Sequence, residues 1–221
     1  HLSAAKDESE KDLHVNKGFT VNHQFYTEHI ESETLFKYTN AHTYVDTYDS
    51  TEEKPVDDDD AYGKNIQTFF KQRLLAKVAD QRSIEFNVSF SKYDKKNKYF
   101  DSNSFVYEHV NFEGDTFETE LKVKEDFLDG NIIYGLTQAK DTYISGTINN
   151  KGQVMTDAFF NHFQKIWEYK FQYGARLTSN DQFGDHLVYK TSLERGFFSK
   201  TLNIGATVAT GFKAPSIYQQ F

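Results

Sequence analysis

Strict alternation of apolar and polar residues constrains the fold of this chain more than any other feature. Residues 168–177 place an apolar or aromatic residue at every second position, with mostly polar or charged residues between them. Residues 201–208 repeat the pattern, and residues 187–193 follow it less cleanly. A period of two places successive side chains on opposite faces of a β-strand. The pattern therefore predicts a sheet with one apolar, aromatic face and one polar face.

The same period returns along most of the chain. Further alternating segments lie at residues 18–26, 32–46, 66–78, 84–91, 117–124, 132–136 and 158–163. Together these segments predict about ten strands, most of them roughly 9–14 residues long. Strands of this length can cross a hydrocarbon layer at a tilt, whereas strands in soluble proteins usually have about 5–6 residues.

Short predicted turns alternate with longer polar loops. The turns cover residues 27–31, 79–82, 127–130, 165–168 and 195–200. The loops cover residues 47–64, 94–103, 145–153 and 179–184. In the third turn Gly130 is available for a positive φ. Short turns at one rim of a sheet and long loops at the other are typical of an outer-membrane barrel. The sequence thus predicts an all-β fold, an antiparallel transmembrane β-barrel wall.

In such a wall the apolar face contacts lipid. The residues expected to face lipid are Ile84, Phe86, Val88, Phe90, Tyr169, Phe171 and Tyr173. Aromatic residues make up 16% of the chain although hydrophobic residues make up only 38%. Aromatic girdles at the membrane interfaces explain this excess more simply than a carbohydrate-binding surface does. The girdle candidates near predicted strand ends are Tyr26, Tyr44, Tyr93, Trp167 and Tyr169.

Composition and the lack of motifs exclude several classes of protein. The chain has no Cys, so it forms neither disulfides nor thiolate metal sites. A formal charge of −8 disfavours a nucleic-acid partner. No apolar run is long enough for a transmembrane helix. The sequence contains no zinc-protease motif, phosphate-binding loop or evident Ser-His-Asp arrangement, so we predict that it is not an enzyme and holds no cofactor.

Two groups of polar residues are weighed as sites. The acidic run Asp57, Asp58, Asp59 and Asp60 is a candidate structural calcium site, since carboxylates of flexible loops bind that ion. Four consecutive residues do not converge on one ion, so a solvated acidic loop is the favoured alternative. Glu118 and Glu120 share a face with Lys122 and Lys124, which predicts lumen ion pairs rather than a catalytic acid and base. His162 is predicted to be a lumen or girdle residue.

A resemblance to a known family comes from the last fifty residues. Residues 173–177, 179–184 and 205–218 closely resemble the barrel of TonB-dependent outer-membrane receptors, most strongly the vitamin B12 receptor branch. The most specific motif comprises Gly211, Phe212, Lys213, Ala214 and Pro215. Thr178 stands where that family usually has Asp, and Ala209 where it often has Gly or Tyr.

The resemblance implies a 22-stranded barrel around a plugged lumen. Residues 1–221 would then be a partial barrel domain, a fragment without the plug domain and the C-terminal strands. It also implies calcium-binding aspartates in the loops around residues 57–60. The parent protein would lie in the outer membrane of a Gram-negative bacterium. It would bind a corrinoid or a ferric siderophore and would engage TonB through its plug.

A second function class remains open, a non-transporting β-sheet module for binding or adhesion. In that class the apolar face would pack against a second sheet in a closed core. In a transporter wall, the same residues would have nothing from their own chain over them. The two classes are therefore separated by what covers the seven residues expected to face lipid.

Overall fold

The computed structural model describes residues 14–44, 47–49, 54–56, 61–101, 106–145, 151–197 and 201–212. All regular structure in this part of the chain is β. The strands are β1 (His14–Tyr26), β2 (Ile30–Tyr44), β3 (Thr47–Asp49), β4 (Lys54–Val56), β5 (Tyr62–Ala79), β6 (Arg82–Asp101), β7 (Val106–Phe127), β8 (Gly130–Ser145), β9 (Lys151–Ile166), β10 (Tyr169–Asn180), β11 (Gly184–Phe197) and β12 (Leu202–Ala209). No helix in the described part has the length and apolar composition to span a membrane.

Ten of these strands form one antiparallel sheet. Its order is β1-β2-β5-β6-β7-β8-β9-β10-β11-β12, so each of these ten strands pairs with the next one of the ten along the chain. The two short strands β3 and β4 form a separate ribbon within the connection between β2 and β5. Within the described residues the sheet is open, with β1 and β12 at its edges. The predicted all-β antiparallel sheet of about ten strands is confirmed.

The connections at the two rims of the sheet differ less in length than the sequence predicts. Two or three residues join the strands at 27–29, 80–81, 128–129 and 167–168 on one rim. The opposite rim, here called the loop rim, has connections at 45–61, 102–105, 146–150 and 181–183. Much of the predicted loops at 94–103, 145–153 and 179–184 is therefore strand. These segments are polar on both faces, which hides the two-residue period while leaving the backbone ladder intact.

Gly130 has a different role from the predicted one. The residue with positive φ in this turn is Leu128, at 53°, and Trp167 takes the same conformation, at 55°, in the turn between β9 and β10. Gly130 instead lies against the backbone of Phe163, where a Cβ would overlap the carbonyl oxygen. Close approach of two strands, rather than turn conformation, therefore requires glycine at this position.

The sheet is a single layer. Substantial contacts between strands are confined to hydrogen-bonded neighbours. The only buried hydrophobic side chains in the described part of the chain are Ala61, Ala139 and Tyr143. A soluble sheet protein buries its apolar face against a second layer. None of the described residues supplies such a layer here.

Candidate functional site

One face of the sheet carries an apolar surface that crosses many strands. Phe36, Phe70, Phe90 and Phe117 lie directly opposite one another on β2, β5, β6 and β7. The ring of Phe19 on β1 lies 5.6 Å from that of Phe36. Aromatic residues that face each other across strands stabilise a sheet. They also give this face a continuous apolar surface.

The seven residues predicted to face lipid all lie on this surface. The register runs from Ile84 on β6 through β7, β8 and β9 to Ala175 on β10, so these positions share a face. Tyr173 lies two residues from Ala175 and points to the same side. Phe86 and Tyr173 are 41% and 43% exposed. Contact of this face with lipid stays a prediction.

Some polar groups on the apolar face are paired with one another. The Thr34 hydroxyl donates to Gln72 Oε1 at 2.6 Å, and Gln72 Nε2 donates to Ser32 Oγ at 3.0 Å. His162, which is only 2% exposed, lies on this face with its Nδ1 2.5 Å from the Tyr173 hydroxyl. The edge of the Phe127 ring covers His162. Three buried polar atoms on this face have no hydrogen-bond partner among the described residues: His42 Nε2, Asp94 Oδ1 and His162 Nε2.

The opposite face carries an ion-pair ladder, which we define as Glu31, Glu33, Arg73, Glu85, Glu120 and Lys122 across four strands. Glu85 stands at its centre, 2.9 Å from Lys122 and 3.3 Å from Arg73. Arg73 also lies 3.4 Å from Glu33. The sequence predicted charge pairs within β7, and Lys122 is indeed 3.3 Å from Glu120. It missed the closer partner of Lys122, Glu85, which lies directly opposite it on β6.

A further ion pair lies at the short-turn rim, where β6 begins and β7 ends. Arg82 Nη2 donates to Glu125 Oε1 at 2.6 Å. This hydrogen bond, with the charge of Glu125, raises the pKa of the Arg82 guanidinium. Both side chains are substantially exposed, so the pair adds little to stability.

A buried polar patch lies on the polar face towards the loop rim. Thr178 Oγ1 donates to Asp157 Oδ1 at 2.5 Å, and both residues are 5% exposed. Asn180, 3% exposed, accepts hydrogen bonds from the N–H groups of Gln182 and Phe183. Its carboxamide therefore fixes the turn between β10 and β11. A carboxylate at position 178, as in the family that the sequence resembles, would face the carboxylate of Asp157.

Replacing the Thr178 hydroxyl should destabilise this patch. We expect Thr178→Val to lower the free energy of unfolding by about 1–3 kcal/mol, because the Asp157 carboxylate stays buried without its donor. Urea unfolding of the chain refolded in detergent micelles, followed by Trp167 fluorescence, measures this change. Thr156→Val, on the exposed apolar face of β9, is the matched control and should cost little. Equal losses in the two variants would contradict this account.

The remaining predicted sites are only partly described. Asp57, Asp58, Asp59 and Asp60 lie outside the described residues, so the calcium prediction stays untested. Lys213, Ala214 and Pro215 of the family motif also lie outside them. Gly211 and Phe212 are described, and the Phe212 ring stacks on His186 with centroids 3.5 Å apart. Within the described residues, no three His, Asp or Glu side chains are placed to hold a metal ion.

Comparison with known proteins adds no family assignment. No protein-family model matches the sequence. No curated protein matches it either.

Proposed function

We propose that this chain forms part of the barrel wall of a TonB-dependent outer-membrane receptor, similar to the vitamin B12 receptors. One observation carries the proposal. Ten antiparallel strands form a single layer, and none of the described residues covers its apolar face. A lipid bilayer covers such a face in a membrane barrel. The alternative, a binding or adhesion module, requires a second sheet over the same residues.

The length of the apolar surface supports this proposal. On β5 the outward positions run from Ile66 to Val78, about 40 Å along the strand. A tilt of about 40° shortens this to roughly 30 Å along the membrane normal, comparable with the hydrocarbon core of a bilayer. Two polar residues interrupt the run, Thr68 and Gln72, and Gln72 is hydrogen-bonded within the sheet.

The polar face would line the lumen of the complete barrel. Its ladder of paired charges and its buried polar patch suit a wet, protein-filled interior rather than lipid. In the whole receptor this wall would surround a plug that TonB engages. The transported ligand would be a corrinoid or a ferric siderophore, and the chain itself would perform no catalysis.

Uptake in cells tests this function directly. We expect disruption of the gene that encodes this chain to abolish TonB-dependent uptake of either labelled cobalamin or a ferric siderophore. Restoring the gene should restore that uptake, and removing TonB should abolish it again. Unchanged uptake of cobalamin and of a broad siderophore panel would contradict the proposed transport function.

A further inference from the structure

Two lysines and a histidine meet on the outward, apolar side of the sheet near the loop rim. His42, Lys64 and Lys96 lie directly opposite one another on β2, β5 and β6, and we call these three residues the basic row. Lys98 follows two residues after Lys96, on the same side of β6. The whole chain has a formal charge of −8, so this concentration of cations is local.

Within the described residues, the charges of the basic row are only partly compensated. Lys64 faces Lys96 across the strand pair, and like charges in that position repel. Lys64 makes no ion pair with any described residue. Lys96 forms an ion pair with Asp94, in which Nζ lies 3.6 Å from Oδ2. His42 Nε2 is buried and has no hydrogen-bond partner in the described part of the chain.

On β5 the basic row borders the apolar surface, whereas on β6 the polar residues Asp94 and Lys92 lie between Lys96 and Phe90. Ile66, the last apolar outward residue of β5, precedes Lys64 on the way to the loop rim. The next row outward contains Tyr44 and Tyr62, whose rings flank His42 at 4.7 and 5.2 Å between centroids. Tyr and Lys side chains beside an apolar band are typical of the head-group level of a membrane.

Acidic residues lie on one side of the basic row. Asp94 and Glu113 face each other in the row between Lys96 and the apolar residues of β6 and β7. Their charges oppose the binding of an anion to Lys96. They are farther from Lys64. Asp94 lies opposite Ile66, two residues along β5 from Lys64, which itself lies opposite His42 and Lys96. Removing the lysines should therefore weaken the binding of an anion, and removing the charge of Asp94 should strengthen it.

We propose that the basic row binds the phosphate group of an anionic lipid in the leaflet at the loop rim. This inference rests on the proposed function, because it requires the apolar face to contact lipid. A lipid head group suits the row better than soluble phosphate, since Lys64 lies beside the apolar residue Ile66 on the same side of the sheet. An incoming phosphate would relieve the repulsion between Lys64 and Lys96.

Fluorescence quenching by brominated lipids tests this inference on the full chain. In a Trp167→Phe background, Ile66→Trp places the single tryptophan next to the row. The chain is refolded into phosphatidylcholine vesicles that contain phosphatidylglycerol, with bromine on the acyl chains of one lipid or the other. We expect brominated phosphatidylglycerol to quench more strongly than brominated phosphatidylcholine. Each lysine that binds the phosphate should raise the affinity for phosphatidylglycerol, relative to phosphatidylcholine, about fivefold.

Substitutions identify the residues responsible. Lys64→Gln with Lys96→Gln should remove the preference for phosphatidylglycerol, and Asp94→Asn should increase it. Lys71→Gln with Lys95→Gln removes the same charge from the polar face of the same two strands and should leave the preference unchanged. Inorganic phosphate should compete no better than chloride at equal ionic strength. Specific competition by inorganic phosphate would overturn the assignment to a lipid.

The outcomes separate this inference from the proposed function. Equal quenching by both brominated lipids would overturn the phosphate site while leaving the membrane-facing wall in place. Absence of quenching by either lipid would overturn both. A preference that survives Lys64→Gln with Lys96→Gln would also overturn the site.

Discussion

Val88→Trp should be quenched severalfold more by lipids brominated on their acyl chains than Ser89→Trp, when each is made in a Trp167→Phe background. Residues 88 and 89 are adjacent on β6 but point to opposite faces of the sheet. Val88 lies among the apolar residues predicted to face lipid, whereas Ser89 lies on the polar face. The measurement uses the full chain refolded into phosphatidylcholine vesicles, where bromine atoms reach only lipid-exposed tryptophan.

The comparison of these two variants distinguishes a sheet that is inserted with its apolar face towards lipid from a chain that is only attached to the membrane. A chain that lay on the vesicle surface would show weak quenching at both positions. A soluble sandwich would bury Val88 in protein and leave it unquenched. Stronger quenching of Ser89→Trp than of Val88→Trp would show that the assignment of the two faces is wrong.

Glu85→Gln should destabilise the chain more than any other single removal of charge from the ion-pair ladder. The Glu85 carboxylate contacts Lys122, Arg73 and Asn87, and its side chain is only 16% exposed. Loss of the carboxylate leaves two half-buried cations that rely on longer contacts. Because hydrogen bonds to charged groups are each worth about 1.5–3 kcal/mol, we expect a loss of about 2 kcal/mol in the free energy of unfolding. Urea unfolding from vesicles measures it.

Glu118→Gln is the matched control for this prediction. Glu118 lies on the same face of β7, and the same charge is lost, but the ladder does not include it. We expect its effect to stay within about 0.5 kcal/mol, as for most surface substitutions. Combining Glu85→Gln with Lys122→Met in a double-mutant cycle gives the coupling between the two residues. If Glu85→Gln is no more harmful than Glu118→Gln, the ladder does not stabilise the fold.

Local patterns predicted the strands where one face is apolar. The hairpin of β5 and β6 follows from alternation on either side of the turn at 80–81, and the cross-strand register places the predicted apolar positions from Ile66 to Phe90 on one face. The sequence predicts a loop over the outer part of β6 because Asp94, Lys96 and Lys98 occupy its outward positions. A strand that is polar on both sides has no hydrophobic period, so its pairing partner alone determines that it is a strand.

The contacts within the candidate sites follow from the tertiary structure and could not be predicted from local sequence patterns. The Glu85 contacts to Arg73 and Lys122 join three strands, and the separation of these residues along the chain does not specify them. The bond between Thr178 and Asp157 requires the register between β9 and β10, because a shift of one residue would place the two side chains on opposite faces.

The sequence by itself determined the strand period, the two contrasting faces and the neighbour-to-neighbour order of the sheet. These follow from side-chain alternation and short turns, which act over a few residues. Only the tertiary structure decided how far each strand runs, that the sheet is a single open layer, and which distant charges meet. Those properties depend on the cross-strand register over the whole sheet, where residues far apart in the chain become neighbours.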